Sequence, residues 1–478
     1  MNHKRSNPLL SLSLSAVLLS GCALPERTPP QLEIPVPDQF EAGSSAPGEI
    51  GGKWWEEFGD RQLDAHVERA LSDSPAILQA IARTQQARAL ADLAGADQSP
   101  QVSLGFGAGR QKLTLESLGI VVPDAGGGGA QSSYRINTFD LTGNVSWEVD
   151  LWGRLSAQSA AARADFLANE ANLQSVRQSI AAQTARAYFA MIEGGRQVNL
   201  ARQVAENAAQ MERQISNRVR LGAAQPADGQ LAIASLASAN ANLAAREEIL
   251  ARTTRQFDVL LGDYPDGVVA FADQLPALQS QPPAGLPAEL LSRRPDILAA
   301  QLNLEAAGFR LDAAERSFLP SIELTGRAGT SSTQLSNLLD PDFFIWSIAG
   351  RLLQPIFQGG RLRAQFDLRE GERDEALQLY ADTVLNALSE VETALAVEEF
   401  LTEQEQELAT ALAAASEAHR IARNRYDVGS DPLLNVLDAQ SRMIEAQSAL
   451  LVVRQARIDN RINLHLALGG GFETGAQK

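Results

Sequence analysis

The stretch that decides the fold occurs twice: residues 71–78 read LSDSPAIL, and residues 291–298 read LSRRPDIL. The two copies are displaced by 220 positions (291 − 71), and Pro100 recurs at Pro320 with the same displacement. Farther along, the displacement becomes 207 positions (425 − 218). It relates Arg218-x-x-x-Gly222 to Arg425-x-x-x-Gly429, and Leu261-Gly262 to Leu468-Gly469. An internal repeat of this kind indicates two copies of one structural unit.

Each half changes its hydrophobic period in the same order. A helical period ends before Pro100 or Pro320, and apolar and polar residues then alternate, which is the pattern of β-strands. The alternation predicts four strands, at about residues 101–109, 139–151, 320–328 and 343–353. Such strands suit an outer-membrane barrel, with lipid outside and water inside, and they equally suit a soluble sheet with one solvated face. The strands alone leave both interpretations open.

Each strand pair is followed by a long tract without proline, at 154–221 and 361–428. A helix of that length reaches roughly 100 Å, and its Ala-rich seam suits packing against other helices. Glycine then marks a turn, after which a second helix returns. The sequence therefore predicts two helical hairpins, with tips at about residues 220–228 and 426–434.

The repeat also sets the predicted domain boundaries. The segments are a first structural repeat at 61–262, a connector or equatorial segment at 263–283, a second repeat at 284–469 and a C-terminal tail at 470–478. Four strands are too few to close an outer-membrane barrel, since the smallest such barrels have about eight. A barrel therefore requires several copies of the chain, and we expect three.

The N-terminus carries an export signal. Residues 1–21 combine a positive start with a short apolar stretch, which is typical of a secretory signal peptide. They lead into Leu19-Ser20-Gly21-Cys22, which resembles the lipobox of bacterial lipoproteins and implies cleavage before Cys22 and acylation of that residue. Ala23, where aspartate would retain a lipoprotein in the inner membrane, favours the outer membrane. Residues 22–60 are then a lipidated, Pro-rich arm; the alternative is a free cysteine behind a leader.

Composition argues against several classes of protein. Of 478 residues, 5% are aromatic and 45% hydrophobic, a bias typical of long packed helices rather than of several compact cores. The formal net charge of −17, without a basic stripe, argues against nucleic-acid binding. One cysteine allows no internal disulfide, and the four histidines lack the spacing of metal ligands. We expect no metal site, no cofactor and no enzymatic activity.

Three motifs on this duplicated frame identify a family. They are Lys53-Trp54-Trp55-x-x-Phe58-x-Asp60, Trp147-Glu148-x-Asp150-Leu151-Trp152-Gly153-Arg154 and Leu291-Ser292-Arg293-Arg294-Pro295-Asp296-Ile297. The chain resembles the TolC-like outer-membrane factors of tripartite efflux pumps, within them the NodT-type lipoproteins, over essentially its whole mature length. The resemblance implies a membrane α+β fold. A homotrimer would form a twelve-stranded β-barrel, four strands per chain, that continues into a long α-helical coiled-coil barrel in the periplasm.

The same resemblance implies a function. The trimer would be a passive, water-filled exit duct for drugs or other exported solutes, anchored in the outer membrane. Its implied partners are a periplasmic adaptor (membrane fusion) protein and an inner-membrane transporter, commonly of the resistance-nodulation-division type, which supplies the energy. The polar faces of the strands, including Glu148, Asp150, Glu323 and Arg327, would line the lumen, and acidic groups there would favour cations.

The resemblance places a periplasmic gate at the tip of the second hairpin. Asp438 matches an inner gate aspartate, whereas Asn435 stands where a second aspartate is common, and Asp431 stands where some relatives carry arginine. We therefore expect a gate that rests on fewer charges. Tyr426 and Asp228 match a pair that links neighbouring hairpins. The alternative for Tyr426 is an aromatic residue that simply packs at the tip.

The two hairpin tips resemble the surface against which adaptor hairpins dock. The matching residues are Arg218, Leu221, Gly222, Arg425, Val428 and Gly429. Glycine just beyond a helix end also permits a positive φ, so ordinary turn chemistry is the alternative. We expect both roles to hold together.

Two other functions are weaker candidates. A lipid-anchored periplasmic coiled-coil scaffold without channel activity would share the helices and the anchor, but it has no use for strands with lipid and water faces. An enzyme is the third candidate. It is disfavoured because the sequence shows no nucleophile elbow, and because the glycine run 126–129 lacks the strand–helix context of a phosphate loop.

Overall fold

The structure is a computed structural model that describes residues 37–42, 52–114, 133–278 and 287–470. These residues belong to one structural unit, Val36–Lys478. The predicted signal peptide, Cys22 and the glycine run 126–129 lie outside the described residues. Within them, no helix is both long enough and apolar enough to cross a membrane.

Helices dominate the described residues. The α-helices are α1 (Arg61–Asp73), α2 (Pro75–Ala96), α3 (Arg154–Arg220), α4 (Pro226–Leu261), α5 (Pro287–Arg293), α6 (Pro295–Arg316), α7 (Arg361–Asp427) and α8 (Leu433–Ala467). The strands are β1 (Gln101–Thr114), β2 (Ser133–Val149), β3 (Ser321–Ser332) and β4 (Phe344–Leu353). Short 3-10 helices lie at Trp54–Phe58, Leu335–Asn337 and Pro341–Phe343. Pro75 and Pro295 open α2 and α6, because the fixed φ of proline suits the first helical turn.

The four strands form one antiparallel sheet in the order β1-β2-β3-β4. β1 and β3 begin directly after the repeated prolines, Pro100 and Pro320. β1 continues to Thr114, beyond its expected end near residue 109. Its backbone pairing with β2 extends to Thr114 opposite Ser133, although apolar and polar residues no longer alternate there. In a single chain the outer edges of β1 and β4 have no strand partner among the described residues.

The two faces of the sheet differ in polarity. The register places Val102 opposite Val145 and Phe106 opposite Leu141 on one face, where the side chains of Val102 and Phe106 are 75% and 61% exposed. On the other face Glu148 lies opposite Glu323. The apolar face is thus uncovered within one chain, which an isolated soluble protein rarely tolerates.

Two hairpins of long helices follow the strand pairs. α3 and α7 contain 67 residues each, so each reaches roughly 100 Å. Each is followed by a shorter antiparallel helix, α4 with 36 residues and α8 with 35. The buried seam of α3 is rich in alanine, whose small side chain lets neighbouring helices approach closely: Ala157, Ala161, Ala164, Ala168 and Ala171.

Within each half, the repeated Leu-Gly pair at the end of the returning helix contacts the segment before the repeated proline. Gly262, at the end of α4, has φ +85°, and a Cβ there would lie 3.0 Å from the carbonyl oxygen of Asp73. Gly469, at the end of α8, has φ +89°, and a Cβ there would lie 3.1 Å from the carbonyl oxygen of Arg293. Each returning helix therefore ends against the chain just before the proline that opens α2 or α6, once in each half.

The largest apolar core joins the N-terminal 3-10 helix to the long helices. Trp54 and Trp55 are fully buried, and Phe58 packs on Phe189 of α3 with ring centroids 5.0 Å apart. The indole of Trp54 stacks on His465 of α8 at 5.4 Å and an interplanar angle of 18°. Three parts of the chain that are distant in sequence are therefore held by one aromatic cluster.

Asp459 of α8 makes stability depend on pH. Burial raises the pKa of its carboxyl to about 6, against the opposing charge of Arg186, and its Oδ1 has no hydrogen-bond partner among the described residues. In the unfolded chain the group ionises near pH 4. The free energy of unfolding therefore falls as pH rises from about 4 to about 6, because the folded state must then hold a buried charge.

We expect Asp459→Asn to raise the free energy of unfolding at pH 7.5 by about 1–3 kcal/mol, because it removes the ionisation penalty. At pH 4 both forms are neutral, so the variant should match the parent. Thermal midpoints in detergent at the two pH values measure this. Glu403→Gln, on the exposed face of α7, is the control for loss of charge. Equal stabilisation at both pH values would contradict the assignment.

Candidate functional site

The two hairpin tips have the same backbone hydrogen bonds. At the end of α3, Ala223 N donates to Arg218 O at 2.7 Å and Gly222 N donates to Val219 O at 3.0 Å. The end of α7 repeats this: Ser430 N donates to Arg425 O and Gly429 N to Tyr426 O, both at 2.9 Å. This pair of bonds is the Schellman motif, which requires a left-handed residue after the helix. Turn chemistry therefore explains the repeated glycines.

At each tip the residue directly before the glycine is apolar and exposed to solvent. Leu221 is 77% exposed and Val428 is 80% exposed. Gly222 and Gly429 have φ of +71° and +79°, and a Cβ at either would meet no atom within 4 Å. Since neither tip glycine is needed for close packing within the chain, the open surface around it is available to another molecule.

A small core joins the two tips to each other. Ile215 of α3, Ala232 of α4 and Leu433 of α8 are nearly fully buried there. Tyr426 of α7 packs against this core, and the guanidinium of Arg218 lies 5.4 Å from its ring centroid. Such a contact contributes about 0.5–1 kcal/mol at an exposed site. Tyr426 thus links the second hairpin to the first within one chain.

Asp228 does not contact Tyr426 in the single chain. Its Oδ2 accepts a hydrogen bond from Gln225 N at 3.3 Å, at the start of α4. Asp431 lies 3.8 Å from Arg425 across the second tip. Both carboxylates therefore stabilise the turns of their own hairpins.

Asp438 and Asn435 lie on the exposed face of the first two turns of α8. Asp438 Oδ2 accepts a hydrogen bond from Arg442 Nε at 3.0 Å, one turn along the same helix. An exposed pair of this kind stabilises a helix by only about 0.3–0.5 kcal/mol. The carboxylate is therefore only weakly held by its own chain.

The motif that starts at Trp147 connects β2 to α3. Asp150 accepts hydrogen bonds from Leu155 N at 2.9 Å and Ser156 N at 2.7 Å, so it caps the helix. Gly153 has φ +78°, and a Cβ there would lie 2.9 Å from Arg316 Nη1. Arg316 in turn donates to Gly153 O at 2.6 Å. This motif therefore ties the end of α6 to the junction between sheet and helix.

The motif that starts at Leu291 depends on one buried arginine. Arg294 donates to Asp296 Oδ2 at 2.7 Å, to Glu390 Oε2 of α7 at 2.6 Å and to Ala467 O of α8 at 3.0 Å. A guanidinium with this many acceptors holds three helices together. The second arginine of the motif therefore has a structural role in the described fold.

Two features were missed at the sequence level. Trp54 belongs to a sequence motif, but no pattern in the sequence places it on His465; a tryptophan pair in a chain with few aromatics is a signal of burial. The cations Arg110, Lys112 and Arg135 were also missed, because the first expected strand ended before Arg110 and the second began after Arg135. Among the described residues, no group of three or more His, Cys, Asp or Glu side chains could hold a metal ion.

Comparison with known proteins places this geometry in a family. The sequence matches the family described as outer membrane efflux protein over residues 66–263 and 286–470. The chain is 30% identical to the pyoverdine export outer membrane protein OpmQ of Pseudomonas putida over 473 residues, covering 97% of each protein. It is 30% identical to the cation efflux system protein CusC of Escherichia coli over 467 residues, covering 96% of this chain and 97% of that protein.

A solved structure has the same architecture. The CmeC outer membrane channel of Campylobacter jejuni superposes with a TM-score of 0.87, covering 95% of this chain and 96% of that one at 23% identity. This likeness confirms the predicted TolC-like fold class, and the family match confirms the resemblance inferred from the motifs. The chain belongs to the outer membrane efflux protein family and is the outer-membrane channel component of an efflux system.

Proposed function

We propose that three copies of this chain form a passive exit duct whose strands make a twelve-stranded barrel. One observation carries the proposal: a four-stranded sheet with both edges unpaired and one face apolar and exposed continues into two hairpins of 67-residue helices. Pairing of β4 with β1 of the next copy satisfies the edge hydrogen bonds. Lipid then covers the apolar face, and the polar face lines water.

We infer that the strand-lined part of the duct is close to charge-balanced. Arg154 Nη2 bonds Glu148 Oε1 at 2.7 Å, Arg327 lies 3.6 Å from Asp140, and Arg351 lies opposite Glu323 in the register. Paired charges create a weaker field than unpaired carboxylates do. These acids therefore favour cations less than their number suggests. The duct carries out no chemistry on its solutes, and the energy comes from its partner transporter.

The N-terminal lipid anchor is part of the proposal. Cleavage before Cys22 and acylation of its thiol and amino group would attach several acyl chains, and more than one chain is needed for a stable anchor. Mass spectrometry of the N-terminal peptide tests this. An unmodified Cys22, or a chain that still carries residues 1–21, would contradict it.

The proposed partners are a periplasmic adaptor and an inner-membrane transporter. Relatives of equal similarity carry the names pyoverdine export protein and cation efflux protein, so similarity singles out neither solute. We propose a transporter of the resistance-nodulation-division type, with selectivity determined there. Crosslinking in cell envelopes with a tagged chain, followed by identification of the captured proteins, tests the assignment.

We propose that the adaptor docks on the exposed tip residues. Leu221→Ser with Val428→Ser should reduce crosslinking to the captured adaptor by about a hundredfold or more, because burial of each apolar side chain contributes about 1.5–3 kcal/mol and a tenfold change corresponds to about 1.4 kcal/mol. The thermal midpoint should not change, since both side chains are exposed. Leu339→Ser, equally exposed in the β3–β4 connection, is the control. Undiminished crosslinking of the double variant would exclude these tips as the docking surface.

We propose that the tip of the second hairpin is the periplasmic gate, with Asp438 and Asn435 facing the pore and Tyr426, Asp228 and Asp431 bracing the tips. Asp438→Ala should raise the resting single-channel conductance in planar bilayers severalfold, because each copy loses a carboxylate that can bind a cation or a neighbouring tip at the constriction. The helix should stay folded, since the Arg442 pair contributes little.

Glu445→Ala is the matched control for this experiment. Glu445 lies two turns farther along the same face of α8 and is also exposed, so the charge change is identical. A low conductance that does not change in Asp438→Ala would rule out Asp438 as a gate residue.

The second candidate function is a lipid-anchored periplasmic scaffold without channel activity. It shares the helical hairpins but leaves the exposed apolar face of Val102 and Phe106 unexplained. The purified parent protein decides between the two functions. Trimers that resist dodecyl sulfate without heating, together with ion conductance, support the duct; a water-soluble monomer after delipidation supports the scaffold.

A further inference from the structure

Three cations share one face at the end of the β1–β2 hairpin away from the helices. Lys112 lies directly opposite Arg135, and Arg110 lies two residues before Lys112 on the same strand. Side chains directly opposite each other have Cβ atoms about 5 Å apart, and residues two apart on a strand are about 7 Å apart. All three side chains are exposed. They form a compact positive patch.

The described residues supply no counter-charge to this patch. Like charges directly opposite each other destabilise a strand pair. The nearest acid on the two strands, Asp140, lies on the other face, where it accepts a hydrogen bond from Ser331 and lies 3.6 Å from Arg327. An anion from outside the described residues would therefore stabilise the patch by neutralising its charge.

The patch lies at one edge of an apolar band. On the same face, four successive cross-strand pairs are apolar: Val102 with Val145, Leu104 with Gly143, Phe106 with Leu141, and Ala108 with Phe139. Arg110 follows Val102 by eight residues (110 − 102), roughly 27 Å along a strand. A strand tilted by about 40° rises roughly 21 Å over that length, and about 26 Å by Lys112. The lipid-facing band of outer-membrane barrels is about 25 Å tall.

We propose that Arg110, Lys112 and Arg135 bind the phosphate groups of the glycolipid of the outer leaflet, lipopolysaccharide. The inference rests on the proposed function, which places the apolar face in lipid and this end of the hairpin at the outer surface. Arginine binds phosphate oxygens in a bidentate manner, and lysine acts as a point charge. The opposite face of β1 carries Gln111 and Leu113 at this height, so the charge is confined to the lipid side.

Two protein sources of negative charge compete with the lipid. The connection between the strands contains Glu116 and Asp124 in its sequence. In the proposed trimer, a neighbouring copy would bring Asp340 and Asp342, which directly precede β4, towards the edge of β1. Either source would neutralise the cations without lipid, so the test must compare lipid-bound and lipid-free protein.

The test uses the purified full-length protein in detergent and native mass spectrometry with lipid A as the probe. Diphosphoryl lipid A should remain bound to the parent protein, and its apparent affinity should fall about ten- to one-hundredfold in the triple variant R110Q, K112Q, R135Q. Monophosphoryl lipid A should bind more weakly, as should diphosphoryl lipid A at high salt. The triple variant R83Q, R88Q, R213Q, which removes exposed cations from α2 and α3, is the charge-matched control.

Undiminished binding by the cluster variant, an equal loss in the control variant, or equal affinity for both forms of lipid A would overturn the proposal. So would dissociation of the cluster variant in lipid-free detergent, since that result assigns the cations to protein acids. Failure of the proposed function gives a different result: the parent protein itself forms neither trimers nor conducting channels.

Discussion

Trp54→Ala should lower the free energy of unfolding by about 3–5 kcal/mol, the range for removal of a large buried aromatic side chain. Trp54 is fully buried, stacks on His465 at 5.4 Å and meets Trp55 edge to face at 5.7 Å. Loss of the indole leaves a cavity where the N-terminal segment, α3 and α8 meet, and such a core can collapse only partly. Denaturant unfolding in detergent, followed by circular dichroism, measures the change.

A second substitution separates packing from hydrogen bonding. The indole Nε1 of Trp54 has no hydrogen-bond partner among the described residues, so Trp54→Phe removes a buried unsatisfied donor as well as some volume. It should therefore lower stability by only about 1–2 kcal/mol. Tyr264→Ala, whose ring is 85% exposed, is the surface control and should have little effect. A Trp54→Ala variant as stable as the parent would show that this cluster does not hold the N-terminal segment.

Gly469→Ala should lower the free energy of unfolding by about 3 kcal/mol. A left-handed φ costs an alanine about 1–2 kcal/mol, and the new Cβ would lie 3.1 Å from Arg293 O and 3.3 Å from Arg293 Cβ. Relief of that contact displaces the end of α8 from Arg294, which donates to Ala467 O. The same denaturation experiment measures the loss.

Gly429→Ala is the matched control, because its φ of +79° is close to that of Gly469, at +89°, but a Cβ there would meet no atom within 4 Å. It should lower the free energy of unfolding only by the conformational cost of the left-handed φ, about 1–2 kcal/mol. The difference between the variants then measures the close approach between helix end and chain. Equal losses would mean that backbone conformation alone accounts for both glycines.

The sequence allowed the fold class and family to be predicted because hydrophobic period and repetition are local signals. Alternation after Pro100 and Pro320 indicates strands, and the absence of proline from 154–221 indicates an unbroken helix. The ends of the strands were harder to predict than the presence of the strands. β1 runs to Thr114 because pairing with β2 sustains the ladder where the residues themselves, Arg110 to Lys112, are polar.

The candidate gate could be predicted only as a set of positions. The family resemblance implies a pair of Tyr426 with Asp228, but in one chain Tyr426 packs beneath Arg218 and Asp228 accepts a hydrogen bond from Gln225 N. Which side chain a tip residue contacts depends on how two hairpins lie side by side, and no periodicity within one helix contains that information. The pairing between copies remains a prediction that the conductance and crosslinking experiments address.

The sequence by itself determined that two copies of one strand–helix unit follow each other, since the repetition and the hydrophobic period are visible in the order of the residues alone. The tertiary structure decided what the repeated motifs do. Gly469 is placed against Arg293, and Trp54 against His465, by contacts between residues far apart in the chain. Lys112 likewise lies opposite Arg135 only through the strand register. Such pairings depend on packing and register, which are properties of several elements together, whereas period is a property of one.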